Sequence, residues 1–348
     1  MTAGTEPPGI SCPACGRLAS PQDNFCEACR TELAPAVVSA GLPGPGPACP
    51  FCPQTKVSPD GYCESCGRKV PSARDHTELD LGLLAGVTDR GLRHHRNEDA
   101  MALAIAELDG GPAAVAVVCD GISSSARPDE ASLAAAQAAA DVLLAAVRTG
   151  ADLAGASVQA VRSAQQAVTE LAAPPADAPA ATFISAVLTA DAVTVCWLGD
   201  SRAYWLDSGA GHQPRRLTTD DSLAEEMIAA GVLTEADASA SPHAHVVTRW
   251  LGADLRDAAP HVTTFQPDGP GVLLLCSDGL WNYEPDPAAL AGLALPRALT
   301  DPLGAAASLV RFALDAGGRD NVTVVLVPSP PAWPSTGRGQ DRPTTASA

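Results

Sequence analysis

The chain has 348 residues and a formal net charge of −18, with 46% hydrophobic but only 4% aromatic residues. That length suits one large domain plus a smaller module, with a core built largely from Ala, Val and Leu. The charge argues against a nucleic-acid binder, which needs a basic face, yet bound divalent metals could still supply a local positive field for phosphate-bearing substrates.

The amino terminus has no charged segment followed by an apolar stretch, and no run approaches the length of a membrane span. The expected location is therefore cytoplasmic, where the eleven cysteines are thiols or metal ligands rather than disulfides. Eight of them form two matching units. Cys12-Pro-Ala-Cys15 is followed after ten residues by Cys26-Glu-Ala-Cys29, and Cys49-Pro-Phe-Cys52 after ten residues by Cys63-Glu-Ser-Cys66. Two such pairs supply four thiolates in a tetrahedron, the closed geometry of structural zinc, and the repeat favours zinc over redox pairs or disulfides. Each unit is too short to bury a core of its own, so ligation would supply most of its folding free energy. Each resembles a zinc ribbon, and the pair resembles the double zinc ribbon of prokaryotic regulatory proteins. A closed site leaves no position for substrate, so the expected role is docking to a protein partner. The expected divisions are a first ribbon over 10–33, a Pro/Gly/Ala-rich linker over 34–47, a second ribbon over 48–70 and a polar linker over 71–78.

The main domain is expected over 79–328. Residues 81–87, 100–106 and 113–120 read as successive strands. Residues 128–149, rich in Ala and Leu without internal Gly or Pro, read as a long helix, and 152–173 as a second. Residues 182–189, 193–198 and 202–206 read as a three-strand meander, 222–230 as a helix ending at Gly231, and 271–277 as a strand. A helix over 302–316 is stopped by Gly317-Gly318, and a last strand covers 322–327. The tail, 329–348, is expected to be disordered. Runs of strands with helix pairs between them favour antiparallel sheets with helices outside.

Three apolar runs end on an aspartate followed by a small residue: Asp120-Gly121, Asp200-Ser201 and Asp278-Gly279. Asn97-Glu98-Asp99 forms an earlier acidic cluster, and Asp320-Asn321 leads into the last strand. Carboxylates at the ends of buried strands are costly unless a cation or proton accompanies them. Several converging there point to hard metal ions held by oxygen ligands. Cys196 and Arg202 have the spacing of a thiol-phosphatase loop, but Asp200 would sit in its phosphate cradle and 203–206 reads as strand, so a thiol mechanism is rejected. Cys119, Cys196 and Cys276 read as small core residues, and His243, His245 and His261 as surface or packing residues.

Seven motifs stand in order: Arg96-Asn97-Glu98-Asp99-Ala100, Asp120-Gly121, Gly199-Asp200-Ser201-Arg202-Ala203-Tyr204, Leu217-Thr218-Thr219-Asp220-Asp221-Ser222, Thr248-Arg249-Trp250-Leu251-Gly252, Ser277-Asp278-Gly279-Leu280-Trp281 and Gly317-Gly318-Arg319-Asp320-Asn321-Val322-Thr323. Together they resemble the metal-dependent protein phosphatases, the type 2C serine/threonine phosphatases. The resemblance implies an α+β, four-layer αββα sandwich of two antiparallel sheets flanked by helices, with two Mg²⁺ or Mn²⁺ at one end. It implies that Asp120 bridges both ions, that Asp278 and Asp320 hold the first, and that Glu98 and the Gly121 carbonyl hold the second. Asp99 would orient a water that attacks phosphorus in line, without a covalent intermediate. Implied partners are phosphoserine and phosphothreonine proteins and an opposing Ser/Thr kinase, with no nucleic acid and no membrane.

The chain also departs from the family pattern. His94 stands where an arginine usually grips the phosphate, so either His94 takes that role or Arg93 or Arg96 does. Ile122-Ser123-Ser124-Ser125 replaces a glycine turn. Asp200 would be one ligand of an accessory third metal, but Asn282 occupies the partner position, so that site is expected to be weak or absent. The segment 217–252 resembles the family's flap, with Asp221 where a histidine is common. These departures leave an alternative: a phosphatase fold that binds phosphoproteins without turnover, using the ribbons as its main interface.

Overall fold

The computed structural model describes residues 72–329 apart from 109, 173–177, 210–212, 235–236, 238–245 and 254–258; nearer the amino terminus it describes 10–11, 15, 17–19, 28–30, 38–40, 49, 52, 58, 62–68 and 70. Cys12, Cys26, His243, His245 and the tail from 330 lie outside the described residues. The chain opens with a short antiparallel pair, β1 (Ile10–Ser11) and β2 (Leu18–Ala19).

Two six-stranded, wholly antiparallel sheets follow. The first contains β3 (Val38–Ala40), β6 (Asp99–Ala106), β7 (Ala113–Asp120), β9 (Phe183–Leu188), β10 (Val193–Leu198) and β14 (His261–Phe265), in the order β14-β10-β9-β7-β6-β3. The second contains β4 (His76–Asp80), β5 (Ala85–Asp89), β11 (Arg202–Asp207), β12 (Arg215–Arg216), β15 (Gly271–Cys276) and β16 (Val322–Ser329), in the order β12-β11-β15-β16-β5-β4. β8 (Ala180–Ala181) and β13 (Leu251–Gly252) pair with each other. Helices α1 (Pro128–Thr149) and α2 (Leu153–Glu170) cover the first sheet; α5 (Pro287–Ala298) and α6 (Pro302–Asp315) cover the second, with short α3 (Leu223–Ala229) and α4 (Asp278–Trp281) between.

The period-two alternation of β6 shows how the layers arise. Ala100, Ala102, Ala104 and Ala106 join the cluster under α1 and α2, while Met101, Leu103 and Ile105 join the cluster between the sheets. Small residues on the helix side let Ala131, Ala135, Ala139 and Leu143 of α1 seat closely on the sheet. Large ones on the other side, with Trp205 and Leu273, fill the space between sheets.

Several expectations change on this frame. Residues 81–87 are not one strand. Gly82, at φ +76 with its N–H on Asp80 Oδ1 (2.8 Å), turns the chain into a hairpin, and Asp80 pairs with Ala85. The third strand of the expected meander leaves the first sheet and joins the second, because the chain crosses between sheets at Gly199 and Asp200. Both stretches read as linkers carry structure: 34–47 contains β3, whose Val38 pairs with Leu103, and 71–78 contains a 3-10 turn, Ala73–Asp75, running into β4. Ser329, assigned to the tail, ends β16. By length and composition α1 would suffice to cross a membrane, with mean hydropathy 1.4 over its most apolar stretch, against the expectation that no run is long enough; half of that stretch is buried in this fold.

Candidate active site

The acidic residues of the motifs meet at one end of the two sheets. Asp99 opens β6 and Asp120 closes β7, and the antiparallel register sets them opposite each other. From the second sheet, Asp278 follows β15 and Asp320 precedes β16. The Ser277 N–H donates to the Thr323 carbonyl (3.1 Å), locking those two strand ends together. Two glycines permit the close approach. A Cβ on Gly121 would lie 2.4 Å from the Pro128 carbonyl oxygen, and one on Gly279 would lie 1.9 Å from that of Asn321.

A polar cradle between the sheets holds Asp99. Its Oδ2 accepts from the Ser277 hydroxyl (2.8 Å) and the Thr323 hydroxyl (2.7 Å). Thr323 Oγ1 also lies 2.7 Å from Thr88 Oγ1, to which Asn97 Nδ2 donates (2.8 Å). The Asn321 amide oxygen accepts from the Glu98 N–H (2.7 Å), and its Nδ2 donates to the carbonyls of Arg90 (2.8 Å) and Arg96 (3.0 Å). Thr88, Ser277, Asn321 and Thr323 carry this scaffold, and sequence reasoning gave them no role. The available signal was a hydroxyl residue at a fully buried position inside an apolar run, as at Thr323.

The electrostatics are those of crowded acids in a dry place. Burial first, then the neighbouring Asp320 charge, raises Asp99 to about 6 despite its hydroxyl partners. Asp120 and Asp278 are pushed well above the usual carboxylate range by burial and then by the charges of Asp99 and Asp200 respectively. Burial and the Asp220 charge take Asp200 to about 7. Asp278 Oδ1 is buried with no hydrogen-bond partner, while Asp99 Oδ1 meets no N–H or hydroxyl and Asp99 shares a hydrogen bond with the Asp120 carboxyl. Buried carboxylates that repel one another and keep bare oxygens suit hard divalent cations, which would displace their protons and satisfy those oxygens.

The basic residues before the acidic triplet are already engaged. His94 Nε2 lies 3.1 Å from Asp320 Oδ1, and its Nδ1 lies 3.9 Å from Glu98 Oε2, so the imidazole spans two carboxylates. Arg96 Nε donates to Glu98 Oε1 (2.9 Å), with Nη1 3.7 Å from Asp129. Arg93 is exposed. The Ser123 hydroxyl donates to Glu98 Oε2, which gives the serine-rich turn a contact at the site. Asn282 Nδ2 donates to Asp278 Oδ2 (3.0 Å). In the flap, Asp221 accepts from the Gly199 N–H (3.0 Å) and meets His261 (2.9 Å), whose ring stacks on Trp197 at 5.0 Å. Cys196 lies buried in β10 with its thiol pushed up to about 12 by that burial, which denies it a nucleophile's role.

A second cluster lies in the cysteine units. Cys49, Cys52, Cys63 and Cys66 are, among the described residues, the one set of three or more metal-ligating side chains whose ligand atoms all lie within 4.8 Å of one another. The Sγ atoms of Cys49 and Cys66 are 3.6 Å apart, and those of Cys52 and Cys63 3.4 Å. A disulfide would need about 2.05 Å, whereas a zinc tetrahedron with bonds of about 2.3 Å has edges near 3.8 Å. Backbone N–H groups of Cys66 and Ser65 draw the Cys63 thiol down to about 6, favouring the thiolate that binds metal.

Known proteins share this architecture. The sequence pattern of the family described as Protein phosphatase 2C matches residues 91–305. The chain is 29% identical over 245 residues to the Serine/threonine phosphatase stp of Listeria monocytogenes, an alignment spanning 69% of this chain and 93% of that protein. Among solved structures, the PPM Ser-Thr phosphatase MsPP of Mycobacterium smegmatis, in complex with cacodylate, is 30% identical with a TM-score of 0.56 over 70% of this chain and 97% of its own. The catalytic domain of the serine threonine protein phosphatase PstP, in complex with two manganese ions, is 26% identical with a TM-score of 0.51, over 70% of this chain and 96% of its own. The chain belongs to the protein phosphatase 2C family.

Proposed function

We propose that this protein hydrolyses phosphoserine and phosphothreonine in protein substrates, with its catalysis built on the acidic end of the sandwich. The observation that carries this reading is the set of crowded, mutually repelling carboxyls at this end, with Asp278 Oδ1 buried and without a partner. Relatives named as phosphatases support it, as does the manganese-bound PstP domain, and the reading as a non-catalytic binding module is not favoured.

In this reading Asp120, Asp278 and Asp320 would hold one Mg²⁺ or Mn²⁺, and Asp120, Glu98 and the Gly121 carbonyl a second. Such a pair neutralises a phosphate dianion and lowers the pKa of nearby water. The chain's own residues do the rest. Asp99, fixed through Oδ2 by Ser277 and Thr323, presents Oδ1 to accept a hydrogen bond from the attacking water. His94, whose ring nitrogens lie beside Asp320 and Glu98, would turn from one of those carboxylates to donate a hydrogen bond to a phosphate oxygen. Arg96 and Ser123 hold the Glu98 carboxylate in place. Asn282, as an amide, would weaken a third ion beside Asp200.

The cysteine cluster supports a structural zinc at Cys49, Cys52, Cys63 and Cys66, and the repeated spacing extends this to Cys12, Cys15, Cys26 and Cys29. The proposed organisation is thus two ribbons within 10–70 ahead of a phosphatase domain whose expected bounds, 79–328, widen to the start of β4 at His76 and the end of β16 at Ser329. Phosphoproteins, their opposing kinase and a partner for the ribbons are the proposed associates, in the cytoplasm.

The test is release of phosphate from a phosphothreonine peptide with Mn²⁺, compared with Asp278→Asn. Loss of at least about 100-fold is expected for a ligand itself, that being the upper end of what damage to a metal's outer-shell partners costs. Equal turnover by folded wild type and variant, or none from folded, Mn²⁺-loaded wild type, contradicts the reading.

A further inference from the structure

The second cysteine unit does not hang free. It is tied at both ends and touches the active-site segment in the middle. Ahead of it, β3 pairs with β6, Ala40 opposite Met101, two residues past Asp99. Behind it, the 3-10 turn enters the polar cradle: the Arg74 carbonyl accepts from Asn97 Nδ2 (3.1 Å), and Arg74 Nη2 donates to the Asp129 carbonyl (3.0 Å) and approaches that of Asp99 (3.4 Å). Between these anchors, Tyr62 Oη lies 3.0 Å from His95 Nδ1, with the rings edge-on at 6.1 Å.

Tyr62 is placed by the cysteine knuckle. It directly precedes Cys63, and its carbonyl accepts from the Ser58 N–H (2.7 Å) while its own N–H donates to Ser58 Oγ (3.1 Å). The knuckle is closed by Cys63 N–H to the Arg68 carbonyl (2.9 Å) and Gly67 N–H to the Cys63 carbonyl (2.8 Å). Among the described residues, Cys49, Cys63 and Val70, with Cys52 partly buried, form an apolar cluster there. A unit of about twenty residues is too short to bury a core that holds Tyr62 in register, so ligation of the four thiolates would do so. On the other side, His95 adjoins His94, which spans Glu98 and Asp320.

We infer that Tyr62 is a positioning residue: through His95 it couples the four-cysteine site to the segment 93–99, so that zinc occupancy sets how well His94 and Glu98 are held for a phosphorylated substrate. Loss of zinc, by chelation or thiol oxidation, would loosen that segment and weaken phosphate binding. The substrate-binding part rests on the phosphatase reading; the coupling does not.

The full-length protein tests both parts. Hydrogen exchange is followed in the absence of Mg²⁺ and Mn²⁺ for zinc-bound protein, for protein stripped of zinc, and for zinc-bound Tyr62→Phe, with zinc content measured by elemental mass spectrometry. Exchange across 93–99 should rise about fivefold in Tyr62→Phe, the weight of one hydrogen bond, and further on zinc removal, with 113–120 unchanged. With Mn²⁺ and a phosphothreonine peptide, KM should rise by about the same factor in Tyr62→Phe while kcat stays put, and His95→Ala should not be worsened by adding Tyr62→Phe. Unchanged exchange across 93–99, or an unmoved KM in an active enzyme, overturns the proposal. The exchange change without any turnover upholds the coupling and refutes the phosphatase reading instead.

Discussion

The protein gathers metal-ligating groups in two places by opposite means. Four cysteines from a stretch of eighteen residues, 49–66, bring their sulfurs within 4.8 Å, in a unit too short to build a core of its own. The acids of the sandwich come from strand ends spread over residues 98–320 and are imposed by a large, finished core. Thiols can approach as neutral groups sharing protons, so the knuckle tolerates closeness and, in the proposed reading, would take its stability from a zinc ion. Carboxylates forced together repel, so the sandwich already bears a cost that a cation would relieve. In the proposed reading a zinc ion would complete the first site, whereas the fold makes the second.

Removing the thiolates should break this comparison most visibly. Cys63→Ser/Cys66→Ser should lose one zinc and all slow-exchanging amides within 49–70, since structural zinc supplies about 10–16 kcal/mol to such modules. The sandwich core, 113–120 and 322–329, should keep its protection. Collapse of both together would show that the ribbon is a structural part of the domain.

A smaller effect sharpens the other side. Asp99 and Asp200 titrate in the fold at about 6 and about 7, against about 3.9 in an unfolded chain. A carboxyl whose folded pKa is raised stabilises the fold below about pH 4 and loses that contribution as pH climbs through the folded value. Stability without divalent metal should therefore fall behind stability with Mn²⁺ as pH rises from about 4 to about 7. Urea midpoints at matched pH, with EDTA or Mn²⁺, measure the gap, and a gap that stays constant contradicts the account.

The smallest effect concerns the cradle. Thr323→Val keeps the shape of the side chain but removes the hydroxyl shared by Asp99 and Thr88. It should cost about 1–3 kcal/mol in urea unfolding, because buried partners are left unsatisfied. A loss within error would mean that Asp99 is held by packing alone.

Helix α1 was readable to its ends, because Pro128 opens it and Gly150 at φ +65 closes it. Strands β7 and β10 were readable as unbroken apolar runs. The hairpin at Gly82 was not, since Leu81-Gly82-Leu83-Leu84 presents the same hydrophobicity as a strand. Helix α5 went unread although Asp286 caps it and Pro287 starts it, because Pro296 interrupts the pattern. β3 is three residues long in a Pro/Gly-rich stretch, and only its partner strand makes it a strand. In the site, the spacing of the acids was legible and its chemistry followed. What Ser123, Thr323 and Asn321 do was not, because a lone hydroxyl or amide acquires a role only from what the fold sets opposite it.

Two divalent ions are proposed to sit among the acids of the sandwich. Diffraction from full-length crystals soaked in Mn²⁺, recorded at the manganese absorption edge, tests this placement directly. Two anomalous peaks are expected, one against Asp120, Asp278 and Asp320 and one against Asp120, Glu98 and the Gly121 carbonyl. A map with no manganese peak within reach of Asp120, at saturating Mn²⁺, would contradict it.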